Sequence, residues 1–268
     1  MPATIPATIP SVASLLDLTG RTVIVTGSSG GIGGGIARRL AEAGANVVCH
    51  YHGNRDTAEA LVQEIEADIG GKAVALGGDL SDEAAVTALV KGATEAFGTL
   101  DAIVNNAGHQ PVAGLLDITP DGWSQMMAIN TAAPFLLTRA FAAHAKEKGR
   151  GGAVVNIASI EGHQPAPGHA HYAASKAAVL MFTKAAALEL GALGIRVNSV
   201  SPGLIHRDGI EEGWPEGVGR WKEAAPLGRL GMPQDIGDAV LFLISDAARW
   251  VSGADLTVDG GVSARSTW

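Results

Sequence analysis

Short continuous apolar runs alternate along this chain with longer stretches in which apolar residues recur every three or four positions. The runs are Thr22–Val25, Asn46–Cys49, Ala73–Leu76, Ala102–Val104, Gly152–Ile157, Ile195–Val200 and a last one near Asp255–Val258. They are rich in β-branched residues, too short for helices and flanked by turn formers, so each reads as a buried strand. The intervening stretches read as helices: Ile36–Ala43, a segment carrying Leu61, Val62 and Ile65, and one opened by Ser81 as N-cap with Asp82 and Glu83 in its first turn. Pro120 and Asp121 open a long one running past Asn130 to Lys146, with a kink expected at Pro134. An Ala-rich helix follows over Tyr172–Leu190 and a last one over Pro233–Ile244, while the span from the Pro202–Gly203 dipeptide to Met232 reads as irregular. Strict alternation of strand and helix predicts an α/β fold, a doubly wound parallel sheet with helices on both faces. With no composition break to mark a linker, residues 18–268 read as one domain and residues 1–17 as a loose extension.

In such sheets ligands bind at the carboxyl ends of the strands, and the polar residues of this sequence gather there. The first strand runs into T-G-S-S-G-G-I-G, Thr26–Gly33, ahead of a helix. Glycines let backbone approach a pyrophosphate, and a helix N-terminus offers free N–H groups and a positive dipole. Later strand ends carry Asp79, N-N-A-G at Asn105–Gly108, Ser159 and Pro202–Gly203. Beyond Ser159, Tyr172 and Lys176 are four apart and share a helix face. An adjacent ammonium favours a phenolate, which is how a phenol is brought toward useful acid/base strength.

Composition narrows the classes. The chain has 268 residues, 47% of them hydrophobic, and its 19 Lys and Arg against 27 Asp and Glu leave a net charge of −8 with no basic run. Nucleic-acid binding is therefore not expected. The one cysteine, Cys49, lies in an apolar strand and reads as a packing residue. No apolar stretch reaches the roughly 18 residues of a membrane span, and the repeated A-T-I-P start carries no basic side chain, so a cytoplasmic protein is expected.

Taken in order, these motifs resemble the short-chain dehydrogenase/reductase family over nearly everything from Leu18 to Val262, including Asn130, Y-x-x-x-K at Tyr172–Lys176 and D-G-G at Asp259–Gly261. The resemblance implies a Rossmann-like domain that passes hydride between a nicotinamide cofactor and a small alcohol or carbonyl substrate. By the same resemblance Gly27, Ser29, Gly31, Ile32 and Gly33 hold the dinucleotide. Asp79 takes the adenine amino group, with Leu80, Asn105, Ala107 and Gly108 along the adenosine side and Pro202, Gly203 and Ile205 by the carboxamide. Tyr172 is the acid/base, Ser159 polarises the carbonyl, Lys176 bonds the nicotinamide ribose, and Asn130 holds a water that links Lys176 to solvent. A carboxylate that would select NAD is replaced by Tyr51, and His52, Asn54 and Arg55 are placed to receive a 2′-phosphate, so NADP is favoured over NAD; Gly30 stands against this, where many NADP-preferring relatives carry a basic residue. A homotetramer is also implied, with the C-terminus near a subunit interface, where Trp268 would pack across it or reach a neighbour's cleft.

Glu161, His163, Gln164, His169 and His171 lie between Ser159 and Tyr172, and Arg207 and Trp214 follow the Pro202–Gly203 turn. Polar side chains in a pocket suit a hydroxyl-rich substrate such as a sugar or polyol, because a greasy one would leave them unpaired; the alternative is that they face water. The histidines lack a metal-ligand pattern, so no metal is expected. Two other readings stay open: a 3-oxoacyl thioester reductase, which needs cations such as Arg207, Arg220, Lys222 and Arg229 to meet an acidic carrier, and a non-catalytic dinucleotide sensor or scaffold.

Overall fold

The structure is a computed structural model that describes residues 9–264; residues 1–8 and 265–268, Trp268 among them, lie outside the described residues. Seven parallel strands form one sheet: β1 (Thr22–Val25), β2 (Asn46–Tyr51), β3 (Lys72–Gly77), β4 (Ala102–Asn105), β5 (Gly152–Ile157), β6 (Ile195–Pro202) and β7 (Asp255–Val258). Their order is β3-β2-β1-β4-β5-β6-β7. The chain winds outward one way from β1 to β3 and then the other way from β4, so the switch point falls between β1 and β4. The helices are α1 (Gly31–Glu42), α2 (Arg55–Glu64), α3 (Glu83–Phe97), α4 (Pro120–Met127), α5 (Ala133–Lys148), α6 (Ala170–Leu190), α7 (Ile210–Gly213), α8 (Pro215–Ala224) and α9 (Pro233–Ile244).

Side-chain alternation along the strands divides the core in two. Val23, Val25, Val47 and Cys49 point to the face covered by Ile36 and Leu40 of α1 and by Ile236 and Val240 of α9. Ile24, Val48 and Val154 point to the opposite face, against Leu89 of α3 and Leu137 and Phe141 of α5. Leu18, ahead of β1, is fully buried in the first cluster. Helices α1 and α9 cross so closely that a Cβ on Gly35 would collide with Pro233.

Four local expectations change. The N-cap of α3 is Asp82, whose carboxylate accepts from Ala84 N at 3.0 Å, because Ser81 is turned back to Asp79. The long helix from Pro120 is broken by a π turn over Ala128–Ala132. Pro134 has no N–H to offer the carbonyl of Asn130, four residues back, so regular α-helical bonding cannot continue there. The helix carrying Tyr172 starts at Ala170, with His169 at its N-cap position. The span read as irregular before Met232 contains α7 and α8.

Candidate active site

The turn after β1 is held from its β4 side by Thr26 and Asn106. Thr26 Oγ1 accepts from the N–H groups of Asn106 and Ala107, each at 2.9 Å, and donates to Val104 O at 3.1 Å. Asn106 Nδ2 donates to Thr26 O at 2.8 Å and Gly27 O at 3.2 Å. Gly27 and Gly31 have φ of +62° and +53°, which only glycine adopts cheaply. A Cβ on Gly33 would overlap Gly27 O, whereas nothing lies within 4 Å of one on Gly30 or Gly31. The turn is thus closed beneath and open above, at the N-terminus of α1. That cradle fits a dinucleotide pyrophosphate, with Ser29 and Ile32 half-buried beside it.

At the other end of the cleft the expected groups separate. The Tyr51 ring lies on Gly77, where a Cβ would meet it at 2.7 Å. His52 and Asn54 are exposed, and Arg55, also exposed, pairs with Glu59 at 2.7 Å. Asp79 accepts from Ser81 N at 2.9 Å and Ser81 Oγ at 2.7 Å, and these bonds hold its carboxyl below the usual range. Two residues expected along the adenosine side turn their side chains away. Leu80 is buried in the apolar core. Asn105 Nδ2 reaches Asn156 Oδ1 at 2.8 Å and Thr138 Oγ1 at 3.2 Å, and Asn156 Nδ2 continues to Thr183 Oγ1 at 2.9 Å. The first asparagine of N-N-A-G therefore braces the sheet, and the second, Asn106, holds the glycine turn. The motifs contain Thr26 and Asn106 but do not show their work, which is bonding between segments about 80 residues apart in sequence.

Ser159, Tyr172 and Lys176 come together at the end of β5 and the start of α6, all nearly buried. Ser159 Oγ accepts from Glu161 N at 3.1 Å, which seats the short turn beyond β5. Lys176 Nζ donates to Ile157 O at 2.8 Å and stands 5.6 Å from the Tyr172 ring centroid. The expectation that Lys176 draws the phenol down is not met. Burial pushes Tyr172 up to about 12, against a hydrogen bond from Ser159, with the Glu161 carboxylate adding to the rise. Lys176 is itself pushed down to about 8 by burial and directs its Nζ at a carbonyl, so its charge is poorly placed to offset that rise. Asn130 is 1% exposed, and its side chain is fully used: His109 N donates to Oδ1 at 2.8 Å, and Nδ2 donates to His109 O at 2.9 Å and Ser175 Oγ at 3.0 Å. Its side chain is therefore committed elsewhere, and its backbone carbonyl, which Pro134 cannot serve, is the group that could take the role the resemblance implies.

The loop between Ser159 and Tyr172 divides. Glu161 Oε2 accepts from His169 Nδ1 at 2.8 Å, the two side chains 15% and 16% exposed, and Gln110 Nε2 reaches Glu161 Oε1 at 3.4 Å. The His169 ring stands edge-on to Tyr172 at 6.0 Å. These groups wall the space beside the phenol. His163 leaves it for Asp255 of β7, at 2.8 Å, and Gln164 is exposed. Trp214 folds onto its own chain, where a Cβ on Gly217 would fall inside its ring contacts, and Arg220 stacks 6.0 Å from its ring centroid. Trp221 rather than Trp214 meets the Pro202–Gly203 turn, 2.6 Å from where a Gly203 Cβ would stand. Ile205 bridges to Gly231, and Arg207 is exposed. Among the described residues no three His, Cys, Asp or Glu side chains gather as a metal-binding group.

Hydride chemistry needs a cradle for a dinucleotide and a proton-exchanging group within its reach; both stand on one sheet edge here, which places the protein among the dinucleotide-dependent oxidoreductases. A family model described as Enoyl-(Acyl carrier protein) reductase matches residues 27–263. An L-rhamnose 1-dehydrogenase (NAD(P)(+)) of Azotobacter vinelandii is 41% identical over 250 residues, covering 91% of this chain and 97% of that protein. A 3-oxoacyl-(acyl-carrier-protein) reductase of Chlamydia trachomatis is 37% identical over 246 residues, 92% of this chain and 98% of that one. The solved structure of a gluconate 5-dehydrogenase from Burkholderia cenocepacia, in complex with NADP and tartrate, matches with a TM-score of 0.88 at 32% identity, covering 96% of this chain and 100% of that one. The chain belongs to the short-chain dehydrogenase/reductase family.

Proposed function

We propose that this enzyme interconverts a secondary alcohol or lactol and its carbonyl on a neutral, hydroxyl-rich substrate such as a sugar or polyol, with NADP preferred to NAD. Bound in the glycine cradle, the nicotinamide cofactor supplies or accepts the hydride. Tyr172 exchanges the substrate hydroxyl proton, Ser159 holds the substrate oxygen, and Lys176 keeps the ribose and phenol in register. The observation that carries the substrate class is the Gln110–Glu161–His169 wall beside Tyr172. It offers donors and acceptors to hydroxyl groups, from the half-buried Glu161 and His169 and the exposed Gln110, and a substrate that cannot pair with them is penalised where it covers them. Glu161 raises the Tyr172 pKa, so its field reaches the reacting oxygen. A substrate carboxylate in the same space would be repelled, which favours an aldose or polyol over a sugar acid.

NADP is favoured by Tyr51 in place of a carboxylate and by the exposed His52, Asn54 and Arg55. Reaching a 2′-phosphate requires Arg55 to leave Glu59, an exposed pair and so a weak restraint. A homotetramer is proposed from the family and from the apolar side chains that α5 and α6 present to solvent, Phe135, Met181 and Leu188, at 44%, 65% and 85% exposure.

A 3-oxoacyl thioester reductase is the second reading, favoured by the acyl-carrier-protein relative. Carrier docking needs cations near the cleft: Arg207 is exposed, and Arg220, Lys222 and Arg229 would have to leave exposed, weakly restraining pairs with Glu216, Glu211 and Asp235. The deciding assay follows nicotinamide absorbance with both cofactors over aldoses, polyols, the matching aldonates and a short 3-oxoacyl thioester. Turnover of neutral sugars above aldonates, faster with NADP, is expected. Turnover of the thioester alone would assign the enzyme to acyl reduction.

A further inference from the structure

His50, near the carboxyl end of β2, has no part in the chemistry at Tyr172. It is 1% exposed, yet both ring nitrogens are engaged. Gly27 N donates to Nδ1 at 3.3 Å, and Nε2 donates to Gly78 O at 3.0 Å. A single neutral tautomer meets both demands, since Gly27 brings a donor and Gly78 an acceptor. The backbone of the same residue adds to the link: His50 O accepts from Ser28 N at 3.1 Å and Ser28 Oγ at 3.4 Å. Gly27 is therefore gripped on both sides, its carbonyl by Asn106 at 3.2 Å and its N–H by His50. With φ at +62°, Gly27 holds a left-handed conformation that glycine adopts at least cost. Rotating either peptide flanking Gly27 would break these bonds and change the shape of the turn.

We propose that His50 is a cofactor-positioning residue: its imidazole ties the glycine turn to the end of β3 and holds the cradle for the adenosine half of the dinucleotide in its binding shape. Burial lowers the His50 pKa against the opposing bond to Gly78 O, with His52 adding a smaller lowering, which favours the neutral ring the two bonds require. The titratable groups around it are His52, exposed just beyond β2, and Asp79 beside Gly78, whose carboxylate is committed to Ser81. From the glycine turn come Thr26 and Ser28, with no charge.

The test compares wild type, His50→Phe, His50→Gln and His52→Gln by NADH and NADPH dissociation constants, steady-state kinetics and thermal melts. His50→Phe fills the space but removes both bonds; it is expected to raise cofactor Kd and KM about tenfold while kcat falls less than about threefold. His50→Gln, which retains a donor and an acceptor, is expected to recover most of the affinity. In wild type, acidification below the ordinary histidine range sets a ring N–H against Gly27 N–H, so NADH binding weakens; His50→Gln removes this dependence and His52→Gln does not. NADH is used there because it lacks a titrating 2′-phosphate. A folded His50→Phe protein with wild-type cofactor affinity overturns the proposal. So does acid weakening that persists in His50→Gln, which decides the matter even where His50→Phe does not fold.

Discussion

Lys176 occupies a place where positive charge is costly, and the cost is measurable. Its pKa falls from 10.5 to about 8 on burial. Because the native value lies below the unfolded one, the unfolded chain takes up the proton first as pH falls, and stability drops between those two values. Lys176→Met is expected to abolish turnover while raising the Tm of the cofactor-free protein by about 2–4 °C, and to flatten that slope in alkaline melts. Tyr172→Phe removes only the proton donor, so turnover should vanish while cofactor Kd stays within about twofold; retained turnover would refute the assignment. Glu161 acts at a distance. Alcohol oxidation needs the phenolate, and the carboxylate pushes the phenol up. Glu161→Gln should therefore move the alkaline rise of oxidation to lower pH and narrow the preference for aldose over aldonate.

Strand ends and helix starts are where sequence motifs translate most directly into structure. T-G-x-x-x-G-I-G is legible because its glycines answer to local geometry: a Cβ at Gly33 would run into Gly27 O. The two helical glycines nearby separate binding from packing. Gly33→Ala forces the turn itself and should weaken cofactor binding by at least about tenfold, read from NADPH Kd. Gly35→Ala collides with Pro233 in α9 and should cost about 1–3 kcal/mol of stability while changing cofactor affinity far less, read from denaturant melts beside the same titration. The π turn at Ala128–Ala132 lies between these cases. Pro134 announces a break, but its form depends on Asn130 being pinned to the His109 backbone, a partner 21 residues away.

At the scale of the whole molecule, the exposed Met181 and Leu188 of α6 are expected to be covered by a neighbouring copy. If the proposed tetramer forms through α6, Met181→Glu combined with Leu188→Glu should lower the sedimentation coefficient; an unchanged coefficient would place any interface elsewhere. The sequence by itself determined the alternation of strands and helices as far as Pro202, the glycine cradle, and the pairing of Tyr172 with Lys176 on one helix face, because apolar periodicity and four-residue helical spacing are local properties. Tertiary structure alone decided which of two adjacent asparagines faces the turn and that His163 leaves the cleft for Asp255 while His169 stays with Glu161. It also decided that the Tyr172 phenol is pushed up. Each of these depends on desolvation or on a hydrogen-bond partner brought from a distant element, and neither quantity exists until the sheet has assembled its helices around it.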